Sequence, residues 1–351
     1  MALIEASIEG RIEPNSVKAF GAGVELKALG VTIRFSPGNT MDPYPDPPPA
    51  PAKVARKKTI RTPQGELTPA QFLDATPLPG RTAKGFEGGT VIAEGYFEVG
   101  PNQPNIFLAE FLEVEPAETV LLGALTKNDP PAAGGQRVLH VNGVLIEMLT
   151  DARLASNPAA PAQPVYFNQF GFPMKVETAT LSPSGPNPLT APAPSSVEGY
   201  YSEKNEAKFY AFLFESGDTG VLATDPVTTP QIVIERFQYR DRGAQVEYEA
   251  RGAVTTSHQN PPSPFGQTVE LFRVDFNPAT MSEEEESIGR ATIDVREPGF
   301  ERWRLRERPA KPGGFRAGVP LKVVAKNLTG VVPATGLPAQ DVKEPDRVRE
   351  A

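Results

Sequence analysis

The chain has 351 residues, length enough for two or three domains with real cores. It contains no cysteine and only two histidines, His140 and His258, which excludes a disulfide scaffold, a thiolate metal centre and a cysteine nucleophile and leaves little imidazole for catalysis. A formal charge of −8 argues against nucleic acid as a partner, and no apolar run reaches the roughly 18 residues of a membrane-spanning helix.

In chain order the periodicity is that of strands. Val24 to Phe35 alternates β-branched and aromatic residues with polar ones, the period-2 habit of a half-buried strand. Thr68 before Pro69-Ala70-Gln71 predicts a short helix with a capping threonine and proline in its first turn. Val91 to Phe97, Phe107 to Val114 and Val138 to Leu149 read as strands, as do Phe209 to Phe214, Gln231 to Tyr239, Val246 to Val254 and Val269 to Phe276. Ser282 before Glu283 to Glu286 predicts a second short helix, because carboxylates favour a helix N-terminus. Ala291 to Val295 and Leu321 to Ala325 are the last predicted strands.

An internal repeat organises these elements. Glu9-Gly10-Arg11-Ile12 with Gly30-Val31-Thr32-Ile33 returns as Leu122-Gly123-Ala124-Leu125 with Gly143-Val144-Leu145-Ile146, both glycine pairs being 113 residues apart. Glu94-Gly95-Tyr96-Phe97 followed by the strand from Phe107 returns as Glu198-Gly199-Tyr200-Tyr201 followed by the strand from Phe209. A third, diverged copy is read from Ala250-Arg251-Gly252-Ala253 onward. Five or six strands with one face to bury are best satisfied by closure into a small barrel, and mid-strand glycines suit its sharp coiling. The expected fold is all-β: tandem small OB-like barrels, two clear copies and a third diverged, with Pro-rich arms and at most short helices.

The pattern of a Gly strand, a hairpin ending Gly-Val-x-Ile and a Glu-Gly-aromatic strand resembles an uncharacterised bacterial family of OB-like barrel repeats, often secreted or envelope-associated. That resemblance implies no catalytic residues. The expected units are 1–118, with a Pro-rich and basic insertion at 41–66; 119–222, with a Pro-rich insertion at 156–195; a third unit at 223–330; and an extended C-terminal tail at 331–351. Met41 to Ala52 reads as a polyproline arm, and Asn157 to Pro164 and Ser182 to Ser195 as two more. Met1 to Glu5 carries neither basic nor apolar leader character, so no export signal is visible. Lack of cysteine nevertheless suits an extracellular or cell-surface setting, with a virion or the cytoplasm as alternatives.

No phosphate loop, dinucleotide fingerprint or nucleophile elbow occurs, and neither histidine has a partner at metal-ligand spacing. The expectation is therefore a non-catalytic structural protein without metal or cofactor: a self-associating barrel subunit of an extracellular fibre, surface layer or virion. It would form homo-oligomers through its arms or strand edges. A second reading is a glycan- or small-ligand-binding module on the aromatics Tyr96, Tyr200, Tyr201 and Trp303. The alternating Arg302, Arg304, Arg306 and Arg308 beside Trp303 read as a solvated strand face or protein contact. A third reading, a hydrolase, would draw on loop carboxylates such as Asp42, Asp46, Asp129, Asp151 and Asp218.

Overall fold

Two-residue turns and bulges set the architecture of this chain, seen in a computed structural model that describes residues 2–37, 59–63, 65–99, 106–130, 137–154, 165–175, 193–217, 222–259, 266–277, 279–345 and 347–350. The arms Met41 to Ala52 and Asn157 to Pro164, and Ser182 to Pro192 of the third, lie outside the described residues. Two units emerge, the first built mainly from residues up to Tyr166 with Lys175–Gly220, the second mainly from Phe167–Met174 with Val221–Ala351.

The first unit holds two barrels. One comprises β1 (Ala2–Arg11), β2 (Lys18–Phe20), β3 (Gly23–Ala28), β4 (Val31–Phe35), β5 (Ile60–Thr62), β6 (Gly65–Leu67), helix α1 (Pro69–Phe72), β7 (Thr90–Val99) and β8 (Ile106–Glu115). The other comprises β9 (Thr119–Asp129), β10 (Val138–Val141), β11 (Val144–Met148), β12 (Val165–Asn168), β13 (Pro194–Tyr201) and β14 (Lys208–Ser216). In the second barrel the ring β9-β10-β11-β14-β13 closes on itself, with β11 parallel to β14 and β13 antiparallel to β9. This is the five-strand Greek-key order of an OB barrel. The first barrel repeats it as β1, β3, β4, β8 and β7, with β4 parallel to β8 and the seam between β1 and β3 closed by the Ile12–Ala28 bridge. Helix α1 has the expected Thr68 cap, completed by Gln71 returning a bond to the Thr68 N–H.

The 113-residue offset has a structural counterpart. Leu29 (φ 53°) and Asn142 (φ 49°) each precede a left-handed glycine, Gly30 (φ 74°) and Gly143 (φ 80°), so both hairpins turn on two positive-φ residues that match the twist of their strands. Each turn residue lies over the first strand of its barrel, where a Cβ on Gly10 would come within 2.8 Å of Leu29 and one on Gly123 within 2.2 Å of Asn142. Asn142 uses that proximity: its Oδ1 accepts the Ala124 N–H at 2.9 Å. The Gly30 and Gly143 amides donate to Glu13 and Thr126, again 113 residues apart.

Gly95 and Gly199 face bulges. β8 and β14 each carry one extra residue, Glu110 and Phe212, opposite the steps Glu94/Gly95 and Glu198/Gly199. A Cβ on Gly95 would sit 2.0 Å from the Leu108 carbonyl oxygen, and one on Gly199 1.9 Å from that of Tyr210. The absent side chains let the bulged strands press in, which bends them around the ring.

The two barrels share one core, in which Leu149, Leu154, Tyr200, Tyr210 and Phe212 pack with Ile33, Phe72, Phe86, Phe107 and Leu112. The segment after α1 seals the junction. Tyr200 OH donates to the Pro79 carbonyl at 2.8 Å, the Arg81 guanidinium lies 4.1 Å above the Tyr200 ring, and Thr82 donates both its N–H and hydroxyl to Glu203. From the other side Arg153 donates to the Asp74 and Thr76 carbonyls while gripping Asp151 with two bonds.

The second unit contains β15 (Ile232–Asp241), β16 (Val246–Thr255), β17 (Val269–Asn277), β18 (Ser282–Arg290), β19 (Thr292–Glu297), β20 (Phe300–Glu307), β21 (Lys322–Val332), β22 (Leu337–Lys343) and β23 (Arg347–Glu350). They form two sheets, β19-β20-β16-β15-β23 and β18-β17-β21-β22. Trp303, Tyr239, Tyr248, Leu271 and Val323 fill the core between them. Buried Arg273 ties this unit together by pairing with Asp275, donating to Tyr248 OH and reaching the carbonyls of Arg316 and Gly318.

Three expectations are corrected here. Ser282 to Glu286 is strand, not helix: Glu283, Glu284, Glu285 and Glu286 pair along β17, and their charges are met by Lys322, Arg316 and Lys326, which a single helical turn could not offer. Residues 331–351 are not a tail, since β22 pairs with β21 and β23 runs parallel to β15. Gly252 is not the counterpart of Gly10. It lies in β16 opposite the bulge at Glu235, where a Cβ would meet the Val233 carbonyl oxygen at 1.9 Å, so it matches Gly95 and Gly199 instead.

Leu29 occupies a left-handed position that disfavours a branched side chain, and it is 71% exposed, so its removal forfeits little burial. Leu29→Asn, copying the second barrel, is expected to stabilise the first unit by about 1 kcal/mol, a rise of roughly 2–4 °C in Tm. Calorimetry checks this; an unchanged or lowered Tm contradicts the equivalence of the two turns.

Candidate functional site

The aromatics expected to share a binding surface do not form one. Tyr200 is buried at the barrel junction and Trp303, 1% exposed, in the core of the second unit, because alternate residues of β20 point inward. Tyr96 is half-buried on β7. Tyr201 alone is well exposed, its ring standing edge-on to Phe209 at 5.1 Å. Of the loop carboxylates, Asp151 is held by Arg153 and Asp129 by Lys127 at 3.2 Å, while Asp42, Asp46 and Asp218 lie outside the described residues.

The arginines of β20 do gather. Arg302 pairs with Glu235 and donates to the Gln169 carbonyl, and Arg304 pairs with Asp294 at 3.0 Å. Arg306 and Arg308 converge on Glu247 of β16 at 2.8 and 3.2 Å. Hairpin register brings two more guanidinium groups to the same carboxylate. Arg240 on β15 lies opposite Glu247 and approaches to 3.5 Å, and Arg242, in the turn, reaches it at 3.0 Å. Arg240 also donates to Gln238 and pairs with Glu249.

Glu247 thus has a side chain with no solvent exposure beneath four guanidinium groups. Burial alone would raise its pKa, but the bonds from Arg306, Arg308 and Arg242 outweigh that and hold it down at about 2. Its cover is the arginines themselves, which stay in contact with water, so the cluster is a charged lid on the sheet. Four cations around one carboxylate, with Glu249 at the edge, leave a surplus of positive charge on a chain whose net charge is −8. Sequence reading found Arg306 and Arg308 from their alternation but missed Arg240, Arg242 and Glu247. The Arg-Asp-Arg-Gly turn at 240–243 was the available signal, since it fixes which residues of β15 and β16 lie opposite each other.

The first unit has the opposite electrostatic character. Glu115 at the end of β8 is pushed up to about 7, first by burial and then by Glu113, Glu198, Glu118 and Glu9. Burial also raises Glu198, with Glu215 adding to it.

These two carboxyls give opposite pH dependences. Glu115, protonated more readily in the folded than in the unfolded chain, costs stability progressively as pH rises from about 4.5 to about 7. Glu115→Gln should therefore raise the Tm of the first unit at pH 8 by a few degrees and leave it unchanged at pH 4.5. Glu247, depressed in the folded chain, contributes stability above about pH 4.5 that is lost as pH falls towards 2. Because its partners are water-exposed, Glu247→Gln should cost about 1–2 kcal/mol at pH 7 and progressively less as pH falls from 4.5 to 2. Trp303 is the only tryptophan and sits in the second unit, so its fluorescence reports that unit's unfolding separately.

Among the described residues no group of three or more His, Cys, Asp or Glu side chains is placed to hold a metal ion, and no helix is long and apolar enough to cross a membrane. The chain matches no known protein-family model, no curated protein and no solved structure, so its functional reading rests on the geometry above.

Proposed function

We propose that this chain is a non-catalytic structural subunit that self-associates through side-chain surfaces of its β units. The observation that carries this reading is the β21–β22 hairpin, which displays Leu328, Val331, Leu337 and Val342 to water, Leu337 being 63% exposed. By register Val331 and Val342 share the face of Pro338 and Leu337 lies on the other, so this edge hairpin offers apolar side chains on both faces, which marks a contact better than a solvated surface. Each side chain fully buried against a neighbour returns roughly 1.5–3 kcal/mol. Of the loop carboxylates weighed for a hydrolase, the two among the described residues, Asp151 and Asp129, are paired with Arg153 and Lys127.

Light scattering coupled to size exclusion tests the reading. The purified chain should show a mass above its 37.7 kDa monomer that rises with concentration, and Val331→Lys with Leu337→Lys should return it to monomer without lowering its Tm. A wild-type chain that stays monomeric at the highest soluble concentration rejects the proposal.

A further inference from the structure

We infer that the guanidinium cluster over Glu247 is a binding site for a compact multivalent oxyanion, the phosphoryl or pyrophosphoryl group of a small molecule. The inference does not depend on self-association. Three observations carry it. First, the charges do not balance: Arg240, Arg242, Arg306 and Arg308 surround one fully covered carboxylate, and among the described residues Glu249, at the edge, is the one other carboxylate paired with them. Four like charges held together repel one another, and Glu247 cancels only part of that repulsion.

Second, the donors are not used up. A guanidinium carries five N–H groups in a planar fork. Arg308 spends one nitrogen, Nη2, on Glu247; Arg306 spends Nε and Nη2; Arg242 spends Nε and Nη2. The remaining donors of these three side chains lie on groups about half exposed to water. Third, Glu247 acts as a hub that fixes where those donors are. It draws side chains from β15, from the following turn, from β20 and from the residue just past β20 to one point. Ordering before binding lowers the entropic cost of capturing a ligand, and bidentate arginine donors match tetrahedral oxyanions in both charge and geometry. Further along the sheet Arg302 and Arg251 share Glu235 and Arg304 pairs with Asp294, so neither of those carboxylates gathers as many guanidinium groups as Glu247. Convergence of four guanidinium groups on one point favours a compact ligand over a long polyanion, which would need unpaired cations along its whole track.

Isothermal titration of the full chain with sodium tripolyphosphate at low ionic strength tests the assignment. A single saturable site is expected, at least tenfold weaker in Arg306→Gln/Arg308→Gln and within twofold of wild type in Arg290→Gln, a comparably exposed arginine on β18. Should the double variant fail to fold, arginine Nε–H resonances of the wild-type chain provide the readout, with Arg242, Arg306 and Arg308 shifting on titration and Arg290 remaining still. No heat and no shift at millimolar tripolyphosphate overturns the proposal, as does equal affinity in the double variant. Tighter binding of a single-stranded oligonucleotide, with a salt slope of several phosphates, overturns it in favour of a nucleic-acid surface. Light scattering on the same samples records the oligomeric state, so failure of this site and failure of self-association are read separately.

Discussion

A five-strand ring can close only if its strands coil sharply, and in this protein that coiling depends on a carbonyl oxygen occupying the space of a missing Cβ. Gly95, Gly199 and Gly252 each face a strand with one residue too many, and each admits a backbone oxygen to within about 2 Å of where a side chain would begin. The bulge supplies the bend and the glycine supplies the room. Any larger residue at these positions would push the bulged strand outward and open the ring or flatten the sheet. The same device recurs in the second unit, whose strands lie in two sheets, so it belongs to strongly curved sheets generally.

Closure of the rings leads to the arrangement of the first unit. A barrel of five short strands encloses little apolar volume, and two of them sharing one core bury more than either could alone. Arg81 keeps a buried Nε without a hydrogen-bond partner at the junction, but other polar groups there are answered. Tyr200 is buried but finds the Pro79 carbonyl, and Arg153 is buried but finds Asp151 and two carbonyls. In Asp151 burial works against ionisation, and the bonds from Arg153 more than compensate, leaving its pKa lowered. Glu115 shows the reverse outcome, with burial and four neighbouring carboxylates acting in the same direction.

Much of the fold was legible because its causes are local. The 113-residue offset marked the two equivalent turns, and the slip in alternation between Ala109 and Leu112 records the bulge at Glu110. Thr68 and Gln71 fixed α1 within a few residues of sequence. What escaped reading has non-local causes. The glutamates of β18 have their cations on β21 and in the loop before it, so nothing nearby in sequence opposes a helix there. Tyr200 and Tyr201 look alike in sequence; strand alternation sends one into the core and leaves the other in water, and which is which is fixed by the pairing of β13 with β14. Glu247 gave no sign of its importance because its four partners come from two strands, a turn and the chain beyond β20.

The topology also bears on how such a chain can associate. Closed rings have no free edge, so addition of a strand is unavailable along most of the first unit. In the second unit the sheets do end, at β18, β19, β22 and β23, but β18 carries four consecutive glutamates and β19 carries Asp294, Arg296 and Glu297. Charged side chains on an edge penalise a neighbouring strand that would have to bury them, which protects such edges from indiscriminate pairing. The apolar side chains Val331, Leu337 and Val342 lie instead on the hairpin that ends its sheet at β22. Contact through side chains there leaves every ladder of the fold intact, whereas strand addition would have to work against the charges that guard the edges. The chemistry of this surface therefore favours docking by side chains over extension of the sheets.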